Sequence, residues 1–116
     1  MDIVSHEADG DVEAVPGVAL AQLAVGDRMS VQHFDIDAGS AVPEHSHEHE
    51  QSGFLVEGEL VFVVDGDERV VTAGDAYVLP SEEPHAVENR GDVPGRGVDV
   101  FSPPRTDPDW QEESVP

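Results

Sequence analysis

Three histidines stand at alternate positions in the stretch 39–58, GSAVPEHSHEHEQSGFLVEG: His45, His47 and His49, with Gln51 next in the alternation. Side chains two apart in an extended chain point to one face. His45 and His47 can therefore aim two imidazoles at a single point, and neutral imidazole is the commonest protein metal ligand. Two rings make half a site. His85, in a second stretch punctuated by glycine and proline (74–89), is the candidate for the other half. Imidazole with an amide oxygen suits one divalent ion of zinc, nickel, manganese or iron.

The elements that must position these groups are short strands. Residues 18–25, VALAQLAV, form an apolar run too short for an ordinary amphipathic helix. Residues 28–36 alternate in polarity after the turn signal Gly26-Asp27. Strands are expected at 54–56, 59–64, 68–72, 76–79, 85–88 and 98–101, with a loop over 89–97. Asp65-Gly66 is a hairpin turn signal, since both central positions of such a turn need positive φ. No segment sustains a 3.6-residue apolar period. Short strands broken by turn signals every ~8–12 residues predict an all-β sandwich or barrel. Residues 1–17 are expected to add at most an edge strand. His6 is read as a solvated terminal residue and His33 as a packed strand histidine, neither as a ligand.

Length and charge bound the function. A chain of 116 residues predicts one domain, with a barrel core over about 18–101 and a proline-rich tail over 102–116, which Trp110 either pins or leaves exposed. There is no cysteine, so thiolate sites and disulfides are excluded. Twenty-six acidic residues face five basic ones, all arginine. Such a surface repels nucleic acid and anionic membranes. No apolar run approaches the ~20 residues of a membrane span. The acidic N-terminus lacks the basic and apolar segments of a signal peptide, so a cytoplasmic location is expected. The spread of acids along the chain and the absence of lysine read as a halophilic composition, in which salt screens repulsion within ~3 Å at 1 M.

The order Gly39, His45-x-His47, Gln51, Gly58 resembles the first motif of the cupins, with glutamine where that motif has glutamate. Gly74, Pro80, His85 and Asn89 are similar to the second motif, with Glu82 standing where a glycine usually lies. The resemblance implies a small antiparallel β-barrel holding one divalent metal near its mouth. Ligation by His45, His47, His85 and Gln51 would leave the full divalent charge on the ion, a strong Lewis acid and a seat for an anion; the alternative is that Gln51 is a non-ligating wall residue beside a three-histidine site. His49 fits no ligand position and is expected to turn to the rim or support a ligand. Within the cupins, His49-Glu50-Gln51 and the final Asp99-x-Phe101-x-Pro103-Pro104-Arg105 resemble the pectin-degradation cupins, which linearise 4,5-unsaturated monouronates. That resemblance implies a small anionic substrate. It maps a proton-transfer role to Asp99, carboxylate binding to Arg105 and packing on the sugar to Phe101. Each of the three also has a structural reading: an Asp99–Arg105 ion pair and a core phenylalanine. A metal-dependent dioxygenase and a non-catalytic sugar-binding cupin are the alternatives. A homodimer is expected, with 18–25 apolar enough to serve as its contact.

Overall fold

The computed structural model describes residues 1–7 and 10–106. Among the described residues, ten antiparallel strands make two sheets: β1 (Val12–Val15), β2 (Val18–Val25), β3 (Ser30–Ile36), β4 (Ala41–His45), β5 (Glu50–Glu57), β6 (Glu59–Val64), β7 (Asp67–Thr72), β8 (Ala76–Leu79), β9 (His85–Glu88) and β10 (Gly95–Ser102). One sheet runs β1-β2-β3-β10-β5-β8 and the other β4-β9-β6-β7. Phe34, Ile36, Leu55, Leu60, Phe62 and Val87 fill the space between them. Among the described residues no helix is long and apolar enough to cross a membrane.

The alternation expected for 28–36 holds over 30–36, in β3; Arg28 and Met29 precede the strand and are both exposed. Ser30, Gln32, Phe34 and Ile36 are buried, while Val31, His33 and Asp35 face outward and are partly covered. Asp65 and Gly66 have φ of 52° and 80°, the pair of positive values that closes the β6–β7 hairpin. Val12–Val15 is the edge strand anticipated near the N-terminus.

Two expectations need correction. The loop assigned to 89–97 ends sooner, because β10 starts at Gly95. A Cβ at Gly95 would lie 2.7 Å from a Leu60 methyl, and one at Gly97 would lie 2.7 Å from the Phe34 ring. The glycines are strand residues whose missing side chains admit large neighbours, Leu60 from the opposite sheet and Phe34 from the adjacent strand. The strand assigned to 54–56 begins earlier, at Glu50. Trp110 lies outside the described residues.

The inner face of the larger sheet is layered by register. Ser30, Phe101, Gln51 and Leu79 form one row across β3, β10, β5 and β8; Gln32, Asp99, Gly53 and Tyr77 form the next. Phe34, Gly97 and Leu55 follow, and from there inward the wall is apolar. The polar rows lie at the end of the barrel where β4 and β9 carry His45 and His85.

Candidate metal centre

His45 ends β4, His85 starts β9, and the two are register partners. Pairing brings their ring centroids to 4.4 Å. His47 lies in the link that carries the chain from the smaller sheet to the larger one, so its position is not a consequence of strand alternation. Strict alternation along one strand would place His45, His47 and Gln51 on one face. In fact β4 stops at His45 and β5 starts at Glu50. The link is held from outside: Glu82 N donates to the His47 carbonyl at 2.8 Å, and Ser81 Oγ donates to that of Glu48 at 2.6 Å. Glu82 makes its bond from left-handed backbone, φ 68°, which accounts for the glycine usual at that motif position. A non-glycine residue there costs about 1 kcal/mol.

One ligand atom from each of His45, His47 and His85 falls within 4.8 Å of the others. Each ring has Nδ1 against a backbone carbonyl: His45 to Pro43 at 2.9 Å, His47 to His49 at 3.0 Å, His85 to Glu83 at 2.9 Å. A carbonyl only accepts, so Nδ1 carries the proton in all three, and each Nε2 lone pair is left for an ion. Burial pushes the His85 imidazole down to about 4. Burial, then the Arg105 charge, also lowers His47. Both are neutral near pH 7, the form that ligates.

Gln51 supplies the test of whether a metal fits. Its Oε1 lies 3.0 Å from His47 Nε2. With Nδ1 protonated these are two acceptors facing each other, an arrangement that asks for a cation. Ligands ~2.0–2.2 Å from an ion at right angles to one another are ~3 Å apart, so the spacing suits two adjacent ligands. The amide is oriented from behind, since Gln51 hydrogen-bonds Asp99 through its other end.

Asp99 is buried and lines the same cavity. Tyr77 donates its hydroxyl to Asp99 Oδ1 at 2.5 Å. Burial pushes the Asp99 carboxyl up to about 6, against the opposing pull of the Tyr77 and Gln51 hydrogen bonds and the Arg105 charge. Burial, then Asp99 itself, holds the Tyr77 phenol well above its ordinary value, so it remains a donor. Gly53 makes this pairing possible. A Cβ there would fall within 2.4 Å of both the Tyr77 ring and the Asp99 carboxylate. Tyr77 and Gly53 were not singled out by sequence reasoning. Their signal was present in the Tyr77–Leu79 alternation, but only the register shows Gly53 as a gap between two polar side chains.

Phe101 is 1% exposed. Its ring meets the edges of His47 and His49, and the Arg105 guanidinium lies 5.1 Å above its centre. It thus supports the loop that carries His47 and His49, and the arginine, from beneath. Arg105 is anchored through its backbone, its N–H donating to Ser30 Oγ at 2.8 Å and its carbonyl accepting from Gln22 at 2.9 Å. His49 supports His47 through its carbonyl. The cavity between the sheets is about 330 Å³ and is lined by His45, Gln51, Tyr77, His85, Asp99 and Arg105 at its polar end. That volume is at the lower end of the ~300–1,000 Å³ of small-molecule sites, so it suits a single small ring better than a polymer.

Residues 32–101 match the Cupin domain family. The chain is 28% identical to the tetracenomycin polyketide synthase protein TcmJ of Streptomyces glaucescens, over 89% of this chain and 82% of that protein. It is 33% identical to the pectin degradation protein KdgF of Dickeya dadantii, over 60% of this chain and 63% of that one. Among solved structures, KdgF from Halomonas sp. superposes with a TM-score of 0.81 at 24% identity, covering 91% of this chain and 96% of the other. An RmlC-like cupin from Shewanella frigidimarina gives 0.79 at 27% identity, covering 91% and 95%.

Proposed function

The chain belongs to the cupin-domain family, and we propose that it is a metal-dependent, non-redox enzyme that opens the ring of 4,5-unsaturated monouronates to linear keto acids. The observation that carries the reading is the neutral donor set: three imidazoles and the Gln51 oxygen, with Asp99 bonded behind the amide. The similarity to the Dickeya pectin degradation protein supports the substrate class. Among these four donors there is no carboxylate, which sets the site apart from the iron oxygenases that use one.

The substrate is a cyclic hemiacetal whose ring oxygen sits on the carbon–carbon double bond. The anomeric hydroxyl loses its proton, the bond from the anomeric carbon to the ring oxygen breaks, and an aldehyde and an enolate result. Protonation at carbon 4 turns the enolate into a ketone. One proton leaves and one arrives, and no electron is exchanged with an acceptor. His45, His47, His85 and Gln51 would hold a divalent ion, which would supply Lewis acidity for the developing oxyanion. Asp99, with its carboxyl displaced toward neutrality, carries the proton between the hydroxyl and carbon 4. Tyr77 and Gln51 hold that carboxylate in place, and Arg105 meets the substrate carboxylate at the cavity mouth. Phe101 acts from below, keeping the arginine over the site.

Arg105→Ala is expected to raise KM ~10-fold or more with kcat much less affected, because a guanidinium on a non-reacting carboxylate binds ground and transition states alike. Steady-state kinetics on the unsaturated uronate check this. A fall confined to kcat would give Arg105 a different task.

The halophilic reading makes its own forecast. Arg90 is drawn into bridges with Glu68 and Glu88, and Arg96 into bridges with Asp35 and Glu57. Two of the five cations thus answer four acids, and a net charge of −21 remains. Self-repulsion of that size weakens as ions screen it. The melting temperature should therefore climb from dilute buffer to multimolar potassium chloride; a flat or falling trend would remove the halophilic account.

The reaction itself is tested by giving the metal-loaded protein a lyase-generated unsaturated monouronate while following dissolved oxygen and the product spectrum. The proposal expects a linear keto product and no oxygen uptake. Oxygen consumption in step with substrate loss would put the dioxygenase reading in its place.

A further inference from the structure

On the opposite face of the larger sheet, away from the cavity, lies a second convergence of ligand-type side chains. His33 projects outward from the middle of β3. The N-terminal segment crosses it so that the His6 ring stacks on the His33 ring, centroids 3.9 Å apart and planes 18° from parallel. His6 Nε2 lies 2.8 Å from Asp11 Oδ1. One ligand atom from each of His6, Asp11 and His33 falls within 4.8 Å of the other two.

From this geometry we propose a second divalent-metal site, formed by His6, Asp11 and His33. An independent observation points the same way. Three buried side-chain polar atoms lack a partner among the described residues, and two of them are His33 Nδ1 and Asp35 Oδ1. Asp35 follows His33 by two residues on the same face of β3, and its other oxygen accepts from Arg96 Nε at 2.8 Å. Buried polar atoms are nearly always satisfied, by protein, water or an ion. Here one unsatisfied atom belongs to a ring of the cluster, and the other lies two residues along the same strand face.

The donor chemistry selects the ion. Two imidazole nitrogens with one carboxylate oxygen suit zinc, nickel or copper, whereas calcium and magnesium prefer all-oxygen sites. Charge is compatible, since Asp11 and Asp35 bring two negative charges against the single positive charge of Arg96. Ring stacking holds the two imidazoles alongside each other, so lone pairs converge on one ion only after a ring turns. His6, in a segment without regular structure, is the ring able to do so. The site would fasten residues 6 and 11 to β3 and so close the N-terminal segment onto the sheet. It shares no residue with the cavity centre and does not depend on what reaction occurs there.

The test is a metal count on the full chain, stripped with chelator and then equilibrated with zinc alone. Two zinc ions per chain are expected. His6→Ala should lower the count by one, and so should His33→Ala. His6→Ala changes a ring outside the strands, so a folding failure cannot stand in for a lost ligand; circular dichroism verifies it. His47→Ala should retain one zinc, and His47→Ala combined with His6→Ala should retain none. If His6→Ala and His33→Ala both leave the count unchanged, the second site does not exist. A count that drops on those substitutions carries the site whatever becomes of the cavity centre.

Discussion

The His47→Ala variant is expected to lose the cavity-bound metal and turnover together. His47 sits between the other donors: its ring is 5.8 Å from that of His45 and 5.3 Å from that of His85, and its Nε2 faces Gln51 Oε1 at 3.0 Å. Truncation removes one donor and leaves the Gln51 oxygen without the neighbour that shares an ion with it. Loss of groups that only support a ligand already costs ~10- to 100-fold in affinity, and loss of a ligand should cost more. At micromolar metal the cavity site should be empty, and activity should fall to the level of the chelated protein. The fold should survive, since His47 lies in a link between strands rather than in the core. Metal analysis beside a melting curve checks both halves. A variant that keeps the cavity metal with normal affinity would remove His47 from the ligand set.

Asp99→Asn should separate chemistry from metal binding. Asparagine keeps the size of the side chain and one acceptor oxygen. That oxygen can take the Gln51 amide while the new amide donates to the Tyr77 hydroxyl, so Gln51 keeps its orientation. The proposed proton carrier is gone. Removing a positioned general acid–base group costs roughly 10²- to 10⁴-fold in rate. The expected result is unchanged metal content with turnover lower by that factor. Full activity on an unsaturated uronate would show that the proton travels by another route. Loss of metal in parallel with activity would show that Asp99 acts chiefly by holding Gln51.

Part of this candidate site was legible in the chain because two of its histidines are close in sequence. His45 and His47 stand two apart, and His85 follows a proline and glutamate-rich turn whose punctuation marks the start of a strand. The three do converge, but the reason differs from simple alternation. The chain leaves one sheet at His45 and enters the other at Glu50, and the crossing itself delivers His47. Asp99 was legible by resemblance alone. Its partner Tyr77 is 22 residues away and meets it only because β5 presents Gly53 between them. Registers of that kind are set by packing across three strands, which no local pattern encodes. The same holds for His6 and His33. Each taken singly reads as an ordinary surface or strand histidine, and only the path of the N-terminal segment over β3 brings the rings together. Gly95 and Gly97 were read as loop residues because glycine is a local turn signal. In the fold they make room for Leu60 and Phe34.

The most direct measurement of the central claim is the ultraviolet absorbance of the substrate double bond, followed with one preparation in three states: metal-loaded, chelated, and chelated then restored with metal. If His45, His47, His85 and Gln51 hold an ion that drives ring opening, the absorbance of an unsaturated monouronate should decay rapidly in the first state, at the uncatalysed rate in the second, and rapidly again in the third. Decay indistinguishable from the buffer control in all three states would contradict the account.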